Sequence, residues 1–456
     1  MNSTPINAPA LPKDGASIQA TSKGWGDIGL SGGATLEIPL PVSAARGFAP
    51  AMTLAYHSAA GNSPFGMGWT VPVNTVSRQT SLGVPAYTDH DRFIGPNGQP
   101  LLPEQDAEGN PISRHETGQA ATRYAVTRYW PRAEREFDRI ERWQSAGDPT
   151  GFWLIHSADG SQHLYGKTAA ARIADPDQPE HVAQWLLQES LSAHGEHIYY
   201  HYIQETETSR APRDCRAQRY LDKVCYGNFT ARDKERLYLL ETDEAASRGW
   251  HFQLLFDYGQ RTAELDKVPS YAPDTPWTLR KDPFSSFADG FECRTLRLCR
   301  QVLLFHHFPD EAQLGGSPVL VKRVVLEYQT LRNGVNLLLA THEHAIDRHG
   351  RISSLPPFEC LYQKVDLKLD TARFQRLDDF PGLNDGQRYH LVDLYGEGLP
   401  GILYRSDKAW YYREPQRAES AAADEVSYGT ARKIPAIPTA DSAYPMRQQL
   451  TDVTGD

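Results

Sequence analysis

The sequence is poor in cysteine, in long apolar runs and in charge of a single sign, and each shortage removes a class of protein. Five cysteines among 456 residues (Cys215, Cys225, Cys293, Cys299 and Cys360) are odd in number and lack CxxC spacing, which argues against a disulfide framework and against a zinc ribbon. They read as free thiols acting as small hydrophobes, compatible with synthesis in a reducing cytoplasm. No window reaches the ~18 apolar residues of a membrane span. The N-terminal MNSTPINAPALPKDG has no basic n-region and no apolar core, so no Sec signal peptide is readable and export is expected by another route. The 47 basic and 57 acidic residues give a net charge of −10. The Arg-rich stretch Arg123 to Arg142 also carries Glu134, Glu136, Asp138 and Glu141, so no one-sign basic face exists and nucleic acid is rejected as a partner.

What is present is strand. The chain is too long for one hydrophobic core, and its 22 Tyr and 9 Trp cluster in alternating stretches suited to pleated surfaces. Ala34 to Leu40 and Met52 to Tyr56 alternate, with turn material between them. Phe152 to His156 and Gln162 to Tyr165 flank Asp159-Gly160, a strong hairpin signal. Trp185 to Leu191 and His197 to Ile203 flank a turn at His194-Gly195, and Trp250 to Tyr258, Leu298 to Phe308, Val321 to Tyr328 and Val335 to Ile346 continue the series. Helical periodicity is weak, with one short turn expected at Thr168 to Arg172. The fold is expected to be mainly β, with strands at sandwich or barrel spacing.

Chemistry is sparse. Gly61 to Gly68 (GNSPFGMG) lacks the Lys and Ser/Thr of a phosphate loop, and Gly24 to Gly29 (GWGDIG) fits a dinucleotide fingerprint in letters only, since no clear strand precedes it. His342 and His344 alternate and so could share a strand face and a metal, but packing is the commoner role. Glu205-Thr206-Glu207 is the E-x-E pair of mono-ADP-ribosyltransferases; no S-T-S strand accompanies it, and it reads as a solvated acidic loop. Leu391 to Pro400 (LVDLYGEGLP) and Leu450 to Asp456 (LTDVTGD) share an L-x-D-x-x-G-[DE] pattern. Asp393 and Asp452 are 59 positions apart, a spacing expected of successive blades in a repeat fold. Their loops are poor at the third ligand position, so turn formation is favoured over calcium. The second copy stops in mid-motif, so a longer natural protein is expected.

Several long stretches resemble one family. They are GGATLEIPLPVSAARGFAPAMTLAYHSAAGNSPFGMGWTV, TSLGVPAYTDHDRFIGPNGQPLLP, YAVTRYWPRAEREFDRIERW, GFWLIHSADGSQHLYGKTAAARIADP, QWLLQESLSAHGEHIYYHYI and RKDPFSSFADGFECRTLRLCRQVLLFHHFPDE. They look like the SpvB family, comprising the Salmonella virulence plasmid B protein and the B components (TcaC/TcdB type) of insecticidal Tc toxin complexes. The later LVDLYGEGLPGILY and LTDVTGD resemble the FG-GAP-type β-propeller that follows in Tc B components. The resemblance implies a large sandwich- or shell-like β-domain over 29–365; the segment before it, 1–28, rich in Pro, Ser, Asn and Ala towards its start, reads as a mobile leader. The first blades of a truncated propeller would occupy 366–456. It further implies a non-catalytic shell that encloses and delivers a toxic enzyme, with a C component carrying Rhs repeats and an A-component channel as partners. The alternative is a delivery module for a C-terminal mono-ADP-ribosyltransferase. No catalytic, cofactor-binding or metal residue is assigned.

Overall fold

A computed structural model of the chain describes residues 26, 33–118, 121–207, 213–230, 236–241, 248–311, 316–362, 388–396, 399–406, 409–417 and 426–435. Two compact units result, Met1–Tyr362 and Gln363–Asp456. The expected leader over 1–28 lies outside the described residues apart from Gly26, and so does the whole second motif, Leu450 to Asp456.

In the first unit, Thr35–Pro39, Thr53–His57 and Trp69–Thr70 form a small antiparallel sheet, with Leu36 facing Tyr56 and Ile38 facing Leu54. Eight further strands then close on themselves. In ring order they are Thr75–Arg78, Phe93–Ile94, Pro100–Pro103, Arg123–Pro131, Arg139–Ser145, Asp148–His156, Gln162–Tyr165 and Val182–Leu191, each antiparallel to its neighbour. Pairing of Trp185 with Val76 and Gln184 with Ser77 completes the ring. The strand spacing leaves sandwich and barrel open; the pairing makes a barrel, which leaves no exposed edge within the ring.

Aromatic side chains fill it. Phe93, Tyr129, Trp153 and Trp185 come from four strands, and their ring centroids lie 4.8–6.1 Å apart in edge-on pairs. Two buried guanidiniums finish one end. Arg78 lies 5.2 Å from the Phe93 ring and pairs with Asp91 at 2.7 Å. Arg142 lies 5.0 Å from the same ring and pairs with Asp89 at 3.3 Å. Both carboxylates sit on the 79–92 connection, which therefore caps that end with paired charge, the condition for burying it.

Val182–Leu191 is a fork. Glu189 to Leu191 pair on one edge with Gln162–Tyr165 and on the other with His197–Gln204. From that second edge a long antiparallel sheet departs through His197–Gln204, Arg219–Asn228, Trp250–Asp257, Gln301–His306, Val319–Thr330 and Asn336–Ile346. Period-two alternation sorts its side chains. Ile198, Tyr200 and Tyr202 join the main core, whereas Tyr199 packs with Leu154, Leu164 and Tyr238 in a second cluster. The same split separates Val302 and Leu304 from Leu303 and Phe305. Both faces of this sheet are thus covered, which explains its near-continuous aromatic and aliphatic runs.

In the second unit, Tyr389–Val392, Gly401–Ser406, Ala409–Arg413 and Arg432–Ile434 form a four-stranded antiparallel sheet in that order. Leu403, Trp410 and Tyr412 make its core.

Candidate functional site

The motifs singled out in the sequence are taken up by structure. The E-x-E reading is corrected: Glu205 is not solvated. It follows His197–Gln204 and is buried, and its carboxylate accepts two hydrogen bonds from Arg297, one from Nε at 2.8 Å and one from Nη2. Arg297 also donates to the Trp277 carbonyl at 2.9 Å and lies 4.3 Å over the Trp277 ring. Burying a carboxylate is costly unless a cation or hydrogen-bond donors replace its water, and Arg297 is a partner 92 positions away that no local pattern could announce. Glu207 is half-exposed, 3.9 Å from the same guanidinium.

His342 and His344 do share one strand, Asn336–Ile346, but their partners differ. His342 bonds Glu327 at 2.8 Å, whereas His344 is buried beside Arg323 at 3.3 Å, and burial holds its imidazole below the usual range. Among the described residues no cluster of three or more His, Cys, Asp or Glu has metal-binding geometry. In the Gly61 to Gly68 stretch, Asn62–Ser63 and Gly66–Met67 form a hairpin, with Gly66 and Gly68 at φ 94° and 79°. A Cβ at Gly68 would meet the Tyr56 ring at 2.6 Å, so glycine serves the turn and a close approach. Asp393 sits between Tyr389–Val392 and Gly401–Ser406, while its counterpart Asp452 is outside the described residues. All five cysteines are free, and burial pushes the thiols of Cys225 and Cys293 up to about 12.

Sequence reasoning gave no sign of a recess that the described residues form at one end of the barrel. Strand direction alternates around the ring, so the connections 95–99, 132–138 and 157–161 converge at the end opposite the 79–92 cap, beside the start of Thr75–Arg78. There they surround a cleft of about 290 Å³. Asn74, Asn97, Glu136, Asp138, Ser157, His163 and Tyr165 bring polar groups to its lining, and Pro96, Ile140 and Ile155 apolar ones. Tight turns position these groups. Gly95 N–H donates to the Gln99 carbonyl at 2.8 Å, and Ser157 N–H to the Ser161 carbonyl at 2.9 Å. His163 is held by Ser161 and Ser190 at 3.1 and 2.9 Å, and burial keeps its imidazole below the usual range. Burial pushes the Asp138 carboxyl up, as do Glu136 and Glu134, against a hydrogen bond from Ser157. Phe137, between Glu136 and Asp138 in sequence and not part of the cleft's lining, is 78% exposed and has φ 59°. The Glu134 carboxylate accepts its N–H at 2.8 Å.

The closed aromatic barrel forking into a two-faced sheet is an architecture with solved counterparts among bacterial toxin components. The crystal structure of TcdB2-TccC3 is similar over 95% of this chain and 21% of that one, at 39% identity and a TM-score of 0.78. The Photorhabdus luminescens Tc holotoxin pore is similar over 96% of this chain and 20% of that one, at 39% identity and a TM-score of 0.79. The N-terminal domain of the effector protein SpvB from Salmonella typhimurium strain LT2 matches over 68% of this chain and 98% of that one, at 44% identity and a TM-score of 0.63. The family model described as Salmonella virulence plasmid 65kDa B protein matches residues 28–308, and the chain belongs to this SpvB family. The mono(ADP-ribosyl)transferase SpvB of Salmonella typhimurium is 46% identical over 335 residues, 71% of this chain and 54% of the relative. The chain therefore spans about half the length of the curated relatives it matches.

Proposed function

We propose that the chain is a non-catalytic structural component of a toxin complex, of the Tc B type, forming part of a shell that encloses and delivers a toxic enzyme. The observation that carries this reading is coverage. Likeness to TcdB2-TccC3 extends over 95% of the chain, far enough to reach into the unit Gln363–Asp456, whereas the SpvB N-terminal domain accounts for 68%. In this reading residues 29–365 are the SpvB-like wall and 366–456 the first propeller blades, since a four-stranded antiparallel sheet is the unit of a propeller. A ring filled with aromatics and a sheet covered on both faces suit a stiff enclosure better than a site that must move. The partners are a C-type toxin carrier and an A-type channel, met after export from the bacterial cytoplasm. Among the described residues no helix is long and apolar enough to cross a membrane.

Co-expression with a C-type partner, followed by size-exclusion chromatography and electron microscopy, tests the proposal. A stable hollow particle is expected; two non-associating proteins would overturn it. The second reading, a delivery module ahead of a mono-ADP-ribosyltransferase, draws on the 46% identity to the Salmonella relatives. It predicts instead that the chain carries a fused transferase across a membrane with no C-type partner.

A further inference from the structure

Beyond Trp250–Asp257 the chain makes a long excursion before Gln301–His306, and residues 259–272, all of them described, form no helix or strand in it. This strap lies over the face of the sheet that carries Leu255, Leu303, Phe305 and Leu320. Tyr271 packs there, its ring centroid 5.1 Å from that of Phe305. Lacking a ladder of its own, the strap has carbonyls to satisfy, and side chains rising from the sheet supply the donors. Gln301 donates to the Thr262 carbonyl at 2.9 Å, and Arg323 to those of Glu264 and Lys267 at 2.7 and 2.8 Å. The Tyr271 hydroxyl holds the far end by donating to Gln253 at 2.6 Å.

Arg323 therefore pins the middle of the strap, and one neighbour holds Arg323. Strand register lines up Leu255, Leu303, Arg323 and His344 across four strands. Arg323 is fully buried, His344 is 3% exposed, and the guanidinium Nε donates to His344 Nδ1 at 3.3 Å. An arginine nitrogen only donates, so Nδ1 is bare and the neutral ring carries its proton on Nε2. The charge around the imidazole is already committed. His342, two residues earlier, is engaged with Glu327 at 2.8 Å, and Ser354, opposite on the outer strand, is neutral. On the strap, Glu264 and Lys267 pair with each other at 2.7 Å, and Asp266 acts through space on Arg323. Asp257 and Arg261, where the strap begins, pair at 3.1 Å. A proton on Nδ1 would turn the Arg323 bond into a contact between two donors, both cationic and both out of water, an arrangement that burial penalises heavily.

We propose that His344 is an acid-sensitive latch: neutral, it holds Arg323 under the strap, and its protonation frees residues 262–272 from the sheet and uncovers the apolar patch around Phe305. Burial, then Arg323 and His342, hold the imidazole below its usual range, so the open strap binds the proton more readily than the closed one. Closure is complete above the ordinary imidazole value near pH 6.5 and weakens as pH falls below it. One such group shifts the opening equilibrium by about tenfold at one pH unit below that value.

Cleavage of the 456-residue chain by glutamyl endopeptidase after Glu264 and Asp266 reads the open population, since cutting tracks opening when closure is fast. Rates are measured at about pH 7.5 and about pH 5.5, each divided by that on the corresponding free peptide, across the imidazole range. The ratio should rise about tenfold at the lower pH, while cleavage after Glu108, on the loop following Pro100–Pro103, should not change. His344→Asn keeps an acceptor towards Arg323 and takes up no proton, so its ratio should stay flat; His342→Asn should respond as the unaltered chain does. The proposal is overturned if the unaltered chain gives one ratio at both pH values, if cleavage after Glu108 rises in step, or if His344→Asn still responds. Should His344→Asn not fold, the first two outcomes still decide, and His344→Gln takes its place in the third.

Discussion

Glu189 and His197 face each other across the hairpin that leaves the fork, carboxylate Oε1 to imidazole Nδ1 at 2.8 Å, and both are fully buried. A carboxylate only accepts, so the ring proton sits on Nδ1. The same carboxylate accepts the backbone N–H of Tyr238 at 2.7 Å and of Leu239 at 3.0 Å, and the imidazole stacks on Tyr238 at 3.8 Å. One acidic side chain thus ties two strands and a one-turn helix together. Glu189→Ala should destabilise the first unit by about 3–5 kcal/mol, because a buried network loses its only anion. Glu189→Gln should cost about 1–3 kcal/mol, since the amide oxygen still accepts. Urea unfolding followed by tryptophan fluorescence checks both, and an unchanged midpoint in the alanine variant would contradict the assignment.

The two acids of the E-x-E should behave oppositely. Glu205→Ala strands Arg297 in the interior and should cost about 3–5 kcal/mol. Glu207→Gln, half-exposed, should stay within about 0.5 kcal/mol. Incubation of the purified chain with labelled NAD and a host-cell lysate should give no ADP-ribosylation. Turnover that disappears in Glu207→Gln would reinstate the pair as catalytic.

Gly151 occupies the irregular pairing of Arg139–Ser145 with Asp148–His156, at φ 68°, and a Cβ there would drive into the Trp143 carbonyl. Its own carbonyl accepts the Trp185 indole N–H at 2.8 Å inside the barrel. Gly151→Ala should therefore destabilise by more than the roughly 1 kcal/mol of an ordinary glycine replacement. Thermal melting measures this; a stabilised variant would mean that the left-handed backbone is not required.

Acid should weaken the first unit through Asp148 and Asp282. Burial opposes the ionisation of each, but hydrogen bonds outweigh it and hold both carboxyls below the usual range: Arg172 and Thr150 on Asp148, Arg280 and Asn62 on Asp282. The unfolded chain then takes up protons first on acidification. Their contribution is complete above the ordinary carboxylate value near pH 4 and is lost as pH falls through the lower folded values. Melting temperatures taken from neutral pH downwards should decline in that window, less steeply in Asp282→Asn. An identical decline in that variant would exclude Asp282 as a source.

Local pairing was legible in the sequence, and distant pairing was not. The Asp159-Gly160 hairpin appears where its turn chemistry places it, with Gly160 at φ 84°, and so do the strands from Trp250 to Ile346. The strands Arg123–Pro131 and Arg139–Ser145 gave only a mixed-charge signal, because two of their charged side chains, Glu141 and Arg142, are buried against partners elsewhere in the chain. Glu141, 1% exposed, meets Arg114 at 2.9 Å, and Arg142 meets Asp89. Barrel closure rests on three residue pairs between Thr75–Arg78 and Val182–Leu191, and strands as short as Phe93–Ile94 offer no periodicity to read. The mouth cleft draws its polar lining from residues 74, 97, 136, 138, 157, 163 and 165, a set without a motif, which only the alternation of strand direction brings together.

The forked strand has a consequence for how the first unit comes apart. Glu189 to Leu191 spend their backbone groups on neighbours at both edges, so neither barrel nor sheet can peel away without tearing the other's hydrogen bonds. Loss of either would be felt in both, which makes them a single cooperative melting block. The amides of Glu189 to Leu191 should be among the last in the chain to exchange with deuterium, and only at the rate of whole-unit opening. In the shell proposed above, a wall forked in this way would resist being pushed apart along the junction between barrel and sheet.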